Sequence, residues 1–277
     1  MKLFFNLKLT NFKKNNIIYG IPPLNCKNTL DISLIKIWST WKTTYSKRHL
    51  KTDSCTTEYI NQISNPTVIE LGMSSGSSIL DYLNIIVPKC EKIYLSDILL
   101  TCFHTTINNW NILISADLKP FMAWNKRFIV YSDYTSYNFI LNFLSKSILC
   151  HFSKKINEQT QLATLNLVDS NISSAIVNNS NIKLKNYSVL DNWCESKVDL
   201  VRSLNLFNND YFNLSQKKLI VHNVFQMLKE KGILVIGHNR DEEYFSVYSK
   251  SKSGFKLIEK QGNYVDFHEK LIGYKNT

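Results

Sequence analysis

A chain of 277 residues that is 44% hydrophobic can bury one large α/β core with added elements, or two small cores. Its 33 basic and 22 acidic residues give a formal charge of +11 and a pI near 9.2. The only arginines are Arg48, Arg127, Arg202 and Arg240, so this lysine-borne basicity argues against a reader of nucleic-acid bases, which favours arginine.

No two of the six cysteines are spaced as C-x-x-C or followed by a histidine at a zinc-site interval, so they read as free, mostly buried thiols and no metal is expected. The opening "MKLFFNLKLTNFKKNN" is too short and too polar in its apolar run for a secretory signal. No stretch approaches the roughly 18 apolar residues of a spanning helix. The expected location is the cytoplasm.

In chain order, "LDISLIKIWSTWKTTYSKRHL" sets Leu34, Trp38, Trp41 and Tyr45 at helical spacing. Residues 1–64 are therefore taken as an N-terminal helical segment that packs on or caps a main domain of 65–277. "PTVIELG" is an apolar strand, "SSILDYLNII" is a helix, and "KIYLSD" is a second strand ending in Asp97, which together make one βαβ unit. Residues 98–165 are irregular and read as an insert, with a hairpin in "FMAWNKRFIVYSD" and a strongly apolar helix in "YNFILNFLSKSILCHFSKK". Strands are expected in "ATLNLVD", ending at Asp169, in "IKLKNYSVLD", ending at Asp191, and in "VDLVRSLNLF". An amphipathic helix follows in "SQKKLIVHNVFQMLKEKG", closed by Gly232, then the strand "ILVIGHN". The tail alternates about Gln261-Gly262-Asn263 and reads as a hairpin.

The stretch Val68 to Ser78, "VIELGMSSGSS", admits two readings. Gly72-Met73-Ser74-Ser75-Gly76 fits a G-x-S-x-G nucleophile elbow, with Asp199 and His238, or Asp241 and His268, as nominal partners. The same residues fit a strand ending in an acid, then a glycine turn and a helix, the way nucleotide-type cofactors are held. An elbow needs an earlier strand with an oxyanion loop, and none is legible upstream of Val68. The acid Glu70 has no place in an elbow. The cofactor reading accounts for Glu70, Gly72, Gly76 and a strand-end Asp97 together.

With those motifs quoted, the chain resembles the class I S-adenosylmethionine-dependent methyltransferases. The resemblance rests on "VIELGMSSGSS", the acids of "YLSD" and "YSVLD", "VDLVRSLNLF" and "MLKEKGILVIG", over about 67–237. The segment from Val198 to His238 is similar to the chemotaxis-receptor methyltransferases. This chain departs from the family at Ser74, which stands for the middle glycine, and at Glu230-Lys231, where Pro-Gly is usual. The resemblance implies a Rossmann-like α/β fold, with a mostly parallel seven-stranded sheet and a C-terminal antiparallel hairpin. It also implies S-adenosylmethionine as cofactor. It implies that Glu70 lies near the cofactor's amino group, that Gly72, Ser74 and Gly76 form the turn beneath it, that Asp97 takes the ribose hydroxyls, and that Asp191 lies near the adenine. Asp169 is the competing ribose ligand, should 98–160 precede the true second strand.

Methyl transfer is an in-line displacement, driven by positioning and exclusion of water, and it needs no metal. The candidate substrate-side residues lie at the ends of the later strands, where open α/β sheets bind ligands: Arg202, Asn205, Tyr211, His238 and Arg240. Two of four arginines there suggest a carboxylate or phosphate on the substrate. The Asn/Asp-Pro-Pro-aromatic turn of amino-methylating nucleic-acid enzymes is absent, since Leu204-Asn205-Leu206-Phe207 stands in its place. A small organic substrate is therefore favoured, and the apolar insert suggests an amphipathic one; the likeness to the chemotaxis-receptor enzymes implies a protein carboxylate as the alternative. The competing functions are a cofactor-binding protein without turnover, and a hydrolase using Ser74. Sequence says nothing of the oligomeric state.

Overall fold

A computed structural model describes residues 36–37, 40–41, 46–125, 129–132, 139–157, 159–209, 211–239 and 242–275. They divide into two compact units, one of residues 44–99 and 169–277 and one of residues 1–43 and 100–168.

The larger unit begins with α1 (Leu50–Asn61), then β1 (Thr67–Leu71), a 3-10 turn and α2 (Leu80–Ile86), and β2 (Lys92–Asp97). After residue 168 follow α4 (Ser170–Asn178), β8 (Ile182–Asn186), β9 (Val198–Leu204), α5 (Leu214–Met227), β10 (Leu228–Asn239), β11 (Glu243–Ser251), β12 (Gly254–Gln261) and α6 (His268–Ile272). The strands form one seven-stranded sheet in the order β8-β2-β1-β9-β10-β11-β12. The first five are parallel, and β11 and β12 are added as antiparallel neighbours.

The order 3-2-1-4-5 of the parallel strands is that of a Rossmann-like doubly wound sheet, and strand order reverses between β1 and β9. Every residue of β1 is buried, as a central parallel strand covered on both faces must be. On one face Ile69, Leu71, Val201, Leu234 and Ile236 pack with Ile220, Val221, Val224 and Phe225 of α5. Burial stabilises by about 1.5–3 kcal/mol for each such side chain. The opposite face carries Glu70 and Arg202, which are register partners on adjacent strands. α5 starts at a capping box: Gln216 N–H donates to the Asn213 side chain at 3.0 Å, and Asn213 N–H to Gln216 Oε1 at 2.9 Å.

In the other unit, β3 (Thr101–Ile107), β4 (Trp110–Ile114), β5 (Pro120–Trp124), β6 (Ile129–Tyr131) and β7 (Ala163–Asn166) form an antiparallel sheet in the order β6-β5-β4-β3-β7. Between β3 and β4, Asn108 and Asn109 both have positive φ, 51° and 63°, as a two-residue hairpin requires. Leu149 and Phe152 of α3 (Phe139–Ser153) pack with Ile112, Ile114, Ala123 and Val130 of this sheet.

The α/β class, the parallel sheet, the first βαβ unit, the β5–β6 hairpin and α3 agree with the sequence reading. Several local expectations do not. Lys36–Ile37 and Thr40–Trp41 form an antiparallel ladder where a helix was expected, in keeping with the strand preference of isoleucine, threonine and tryptophan; Leu34, Trp38 and Tyr45 of that expected helix lie outside the described residues. The strand of "ATLNLVD" ends at Asn166 and pairs with β3 in the separate sheet. The strand expected to reach Asp191 ends at Asn186. Gly232 does not cap α5, which ends at Met227; it lies inside β10. The C-terminal hairpin is β11–β12, not a pair about Gly262. The tail's second half instead forms α6, whose Leu271 joins the α5 core along with Phe267 just before it.

Candidate functional site

The carboxyl ends of β1 and β9 flank the point where strand order reverses, and there an open α/β sheet forms its crevice. The chain leaves β1 through a turn in which Gly72, Ser74 and Gly76 have φ of +71°, +60° and +85°. Glycine is suited to such angles, and two of the three positions are also tight. A Cβ on Gly72 would stand 3.0 Å from Leu206 Cδ2, and one on Gly76 would stand 2.9 Å from Ile172 Cγ1. Ser74 holds the same left-handed conformation with a side chain, and its hydroxyl is buried without a hydrogen-bond partner.

Asp97, at the tip of β2, fastens this turn. Its Oδ2 accepts from Ser74 N–H at 2.8 Å, and its Oδ1 accepts from Leu99 N–H at 3.0 Å. Met73 N–H donates to Ser96 O at 3.0 Å, so the turn lies along the end of β2. Asp169 does another job: it is the N-cap of α4, accepting from Asn171 N–H at 2.8 Å. Its own N–H donates to Ser75 O at 2.9 Å. Asp191 is exposed, in a turn beyond the end of β8, with its carbonyl accepting from Asn223 Nδ2 at 3.0 Å.

Glu70 is held in a buried charge cluster. Arg202 is wholly buried, donates from Nη1 to Glu70 Oε2 at 2.7 Å, and donates from Nη2 to Asp53 Oδ1 of α1. The guanidinium lies 4.3 Å from the centre of the Tyr82 ring of α2. Two carboxylates here share one cation, and burial pushes both up: Asp53 to about 6 and Glu70 to about 7, against the lowering pull of Arg202.

The first turn of α1 is bonded across the tips of β9, β10 and β11. Asn205 has φ +57° just past β9. Its Oδ1 accepts from Asn239 N–H at 2.8 Å, which fixes the amide so that its Nδ2 faces His49 Nε2 at 3.2 Å. His49 Nε2 therefore accepts and Nδ1 carries the proton. Burial first, then Arg202, Arg48 and His238, hold this imidazole neutral, lowering it to about 3. Glu243 receives Thr52 N–H at 2.7 Å, Thr52 Oγ1 at 2.7 Å and Lys51 N–H at 3.1 Å, an anion at a helix N-terminus.

Of the expected substrate-side residues, Arg202, Asn205 and His238 converge on this region and Tyr211 does not. His238 is buried and stacked on Tyr244 with ring centres 5.3 Å apart. Tyr211 is half-buried in the loop before α5, beside Phe212, and Arg240 lies outside the described residues. His49, Thr52, Asp53, Tyr82 and Glu243 were not marked by the sequence reading. Only the acid in a helical first turn, Asp53, carries any local signal, and its partner is 149 positions away.

The geometry gives no support to a nucleophilic Ser74. Its hydroxyl has no base beside it among the described residues, whereas an activated serine needs one within hydrogen-bond reach. Asp199 lies at the opposite end of β9 from His238 and accepts from Thr67 N–H at 2.8 Å and from Lys229 at 2.8 Å. Asp241 lies outside the described residues, and His268 Nδ1 is bonded to the Tyr248 hydroxyl at 2.9 Å. Among the described residues no group of His, Cys, Asp and Glu could hold a metal, and no helix is long and apolar enough to cross a membrane.

No protein-family model matches the chain, and no curated protein matches it. Among solved structures it is similar to the N-methyltransferase NodS from Bradyrhizobium japonicum WM9 in complex with S-adenosyl-L-homocysteine, at 10% identity and TM-score 0.34, over 69% of this chain and 62% of that one. It is similar to PKMT2 from Rickettsia typhi in complex with the same compound, at 12% identity and TM-score 0.34, over 72% and 27% of the two chains. It is also similar to coclaurine N-methyltransferase bound to N-methylheliamine and S-adenosylhomocysteine, at 11% identity and TM-score 0.34, over 84% and 51%. The chain thus spans less than two thirds of each. At such identities and TM-scores, the fold rests on the strand order described above and not on these likenesses.

Proposed function

We propose that the chain is an S-adenosylmethionine-dependent methyltransferase acting in the cytoplasm on a small organic substrate. One observation carries this reading. A turn of three left-handed residues leaves the central strand at the switch point and is bound through Ser74 N–H to the acid at the neighbouring strand tip. Such a turn brings backbone close to a ligand, and Asp97, whose two oxygens each accept one backbone N–H, has a second lone pair on each that suits the hydroxyls of a diol.

The residues fit the cofactor in part. The turn of Gly72, Ser74 and Gly76, with its orphaned Ser74 hydroxyl, and Asp97 are the groups that would hold it. When bound, the cofactor supplies an activated methyl group on sulfonium. The chain's own part is to orient the acceptor and keep water out. Glu70 does not fit the role at the cofactor's amino group, because Arg202 occupies its carboxylate. Arg202 in turn is committed to two carboxylates, so of the two arginines that suggested a carboxylate or phosphate on the substrate only Arg240, outside the described residues, is left to carry that suggestion. The likeness of 198–238 to chemotaxis-receptor enzymes suggests a protein carboxylate as the alternative acceptor. In this reading 65–277 is the cofactor-binding domain, with an insert at about 98–165, and 1–64 is an N-terminal segment whose α1 packs on the main sheet.

A second reading, a cofactor-binding protein without turnover, is favoured by one observation. Arg202 and Asn205 are both consumed in structural bonds. Calorimetric titration with S-adenosylmethionine and S-adenosylhomocysteine tests both. Micromolar binding that Asp97→Ala abolishes and Asp169→Ala keeps is the expected result. No binding by folded protein would sink both readings. Binding without transfer of labelled methyl to any component of a metabolite extract would favour the second.

A further inference from the structure

His49 is the N-cap of α1, yet its side chain makes no capping bond. It is engaged instead at the strand tips. Asn239 N–H, at the end of β10, fixes Asn205 Oδ1 at 2.8 Å, and Asn205 Nδ2, just past β9, meets His49 Nε2 at 3.2 Å, so the ring's proton sits on Nδ1. That Nδ1–H is buried, and among the described residues nothing accepts from it; the whole residue is 2% exposed. An orphaned buried donor costs about 1–3 kcal/mol, and folded proteins keep few of them. The carboxylates of this region are already engaged, Asp53 and Glu70 by Arg202, and Glu243 by Lys51 and Thr52.

The orphan stands where a second ligand would. The crevice of the sheet opens where strand order reverses, between β1 and β9. The turn after β1 and Asp97 flank it on one side, and Asn205 with His49 flanks it on the other. Arg202, Arg48 and His238 are the charged groups that act on the ring, none of them negative, which favours an anionic acceptor over a neutral one. We propose that His49 Nδ1–H binds an oxyanion of the methyl acceptor, a carboxylate or a phenolate, beside the tips of β9 and β10. The inference rests on the methyltransferase reading and names its substrate class. His49 is a donor here and not a base, because Asn205 occupies its lone pair. An oxyanion arrives deprotonated and needs no base. Burial first, then the neighbouring cations, lower the imidazole to about 3, so the ring stays neutral and the same donor is present across ordinary pH.

The chain, carrying isotope-labelled histidine, is titrated first with S-adenosylhomocysteine and then, in its presence, with benzoate, 4-nitrophenolate or nitrobenzene. Calorimetry follows affinity, and nuclear magnetic resonance follows the His49 ring N–H. An oxyanion is expected to bind and move the Nδ1–H proton downfield, and nitrobenzene to leave it in place; which of the two oxyanions does so tells a carboxylate from a phenolate. His49→Phe should weaken the oxyanion about tenfold or more, as loss of a hydrogen bond to a charged group does, and leave the affinity for S-adenosylhomocysteine unchanged. His49→Asn, whose amide N–H stands near the place of Nδ1–H, should restore most of the loss. Oxyanion affinity unchanged in His49→Phe, or a wild-type Nδ1–H proton that neither oxyanion moves, would overturn the inference and leave the cofactor reading intact; the second readout needs no variant to fold. Failure of the wild-type chain to bind S-adenosylhomocysteine would instead sink the methyltransferase reading, and the acceptor with it.

Discussion

Replacing Arg202 with leucine isolates the energetics of the buried charge cluster. The guanidinium is fully buried and paired with Glu70 at 2.7 Å and with Asp53. Its removal leaves two carboxylates in the interior with no cation, and breaking a buried pair from one side costs about 3–5 kcal/mol. The pH dependence gives the distinguishing signature. Both carboxyls sit above their ordinary values, Asp53 at about 6 and Glu70 at about 7. The folded wild-type protein therefore holds protons that the unfolded chain has released, and the cluster's contribution falls as pH rises from about 4 to 7. Without Arg202 both shift higher still, so at pH 5 both are protonated and the charge penalty disappears. Urea unfolding at 25 °C should give a loss of about 3–5 kcal/mol at pH 8, shrinking to about 1–2 kcal/mol at pH 5, where lost hydrogen bonds and packing remain. Adding Asp53→Asn and Glu70→Gln to the leucine variant should recover most of the pH 8 loss. An equal loss at both pH values would mean that packing, not charge, is what Arg202 contributes.

Two further expectations concern the turn and the helix that border the site. Ser74→Gly relieves a left-handed residue that costs roughly 1–2 kcal/mol and removes an orphaned hydroxyl, against about 0.5–1 kcal/mol of glycine entropy. Its unfolding free energy should rise by about 1 kcal/mol, and a fall would reveal that the hydroxyl makes a stabilising bond. Glu243→Ala deprives the first turn of α1 of its anion and three accepted bonds, at a cost of about 1–2 kcal/mol. Amide exchange at Lys51 and Thr52 should accelerate about tenfold or more, and unchanged exchange would show that α1 is held by its other contacts alone.

The parts of the fold that were legible are those whose signal is local. β1 is a short apolar run with its acid one residue before the end, β2 is one that ends at an acid, and α3 is an apolar helix of fifteen residues. Periodicity and a turn residue suffice to find such elements. The tail was misread because its two halves look alike as alternating patterns, and only packing separates them. Gly254–Gln261 extends the edge of a sheet, while Val265, Phe267 and Leu271 close over α5. Gly232 was misread as a helix stop because the chain enters β10 before it reaches that glycine. Asn108-Asn109 is a local hairpin signal, since asparagine tolerates the positive φ that a two-residue turn needs.

The cofactor-side candidates divide along the same line. The positive φ of residues 72, 74 and 76 follows from a strand that must turn sharply into a helix, and glycines in the sequence announce it. Asp97 stands at a strand end that periodicity locates. The fate of the remaining charges is not a local property. Glu70 and Arg202 meet because β1 and β9, 132 positions apart in the chain, pair in a register that sets them side by side on one face. Asp53 joins them because α1 docks on that face. The sequence by itself therefore determined the central strands of the main sheet and where the first of them turns. Only the tertiary structure decided which carboxylate stays at the turn and which is spent on the guanidinium, because sheet register and helix docking, not spacing along the chain, choose the partners of a buried charge.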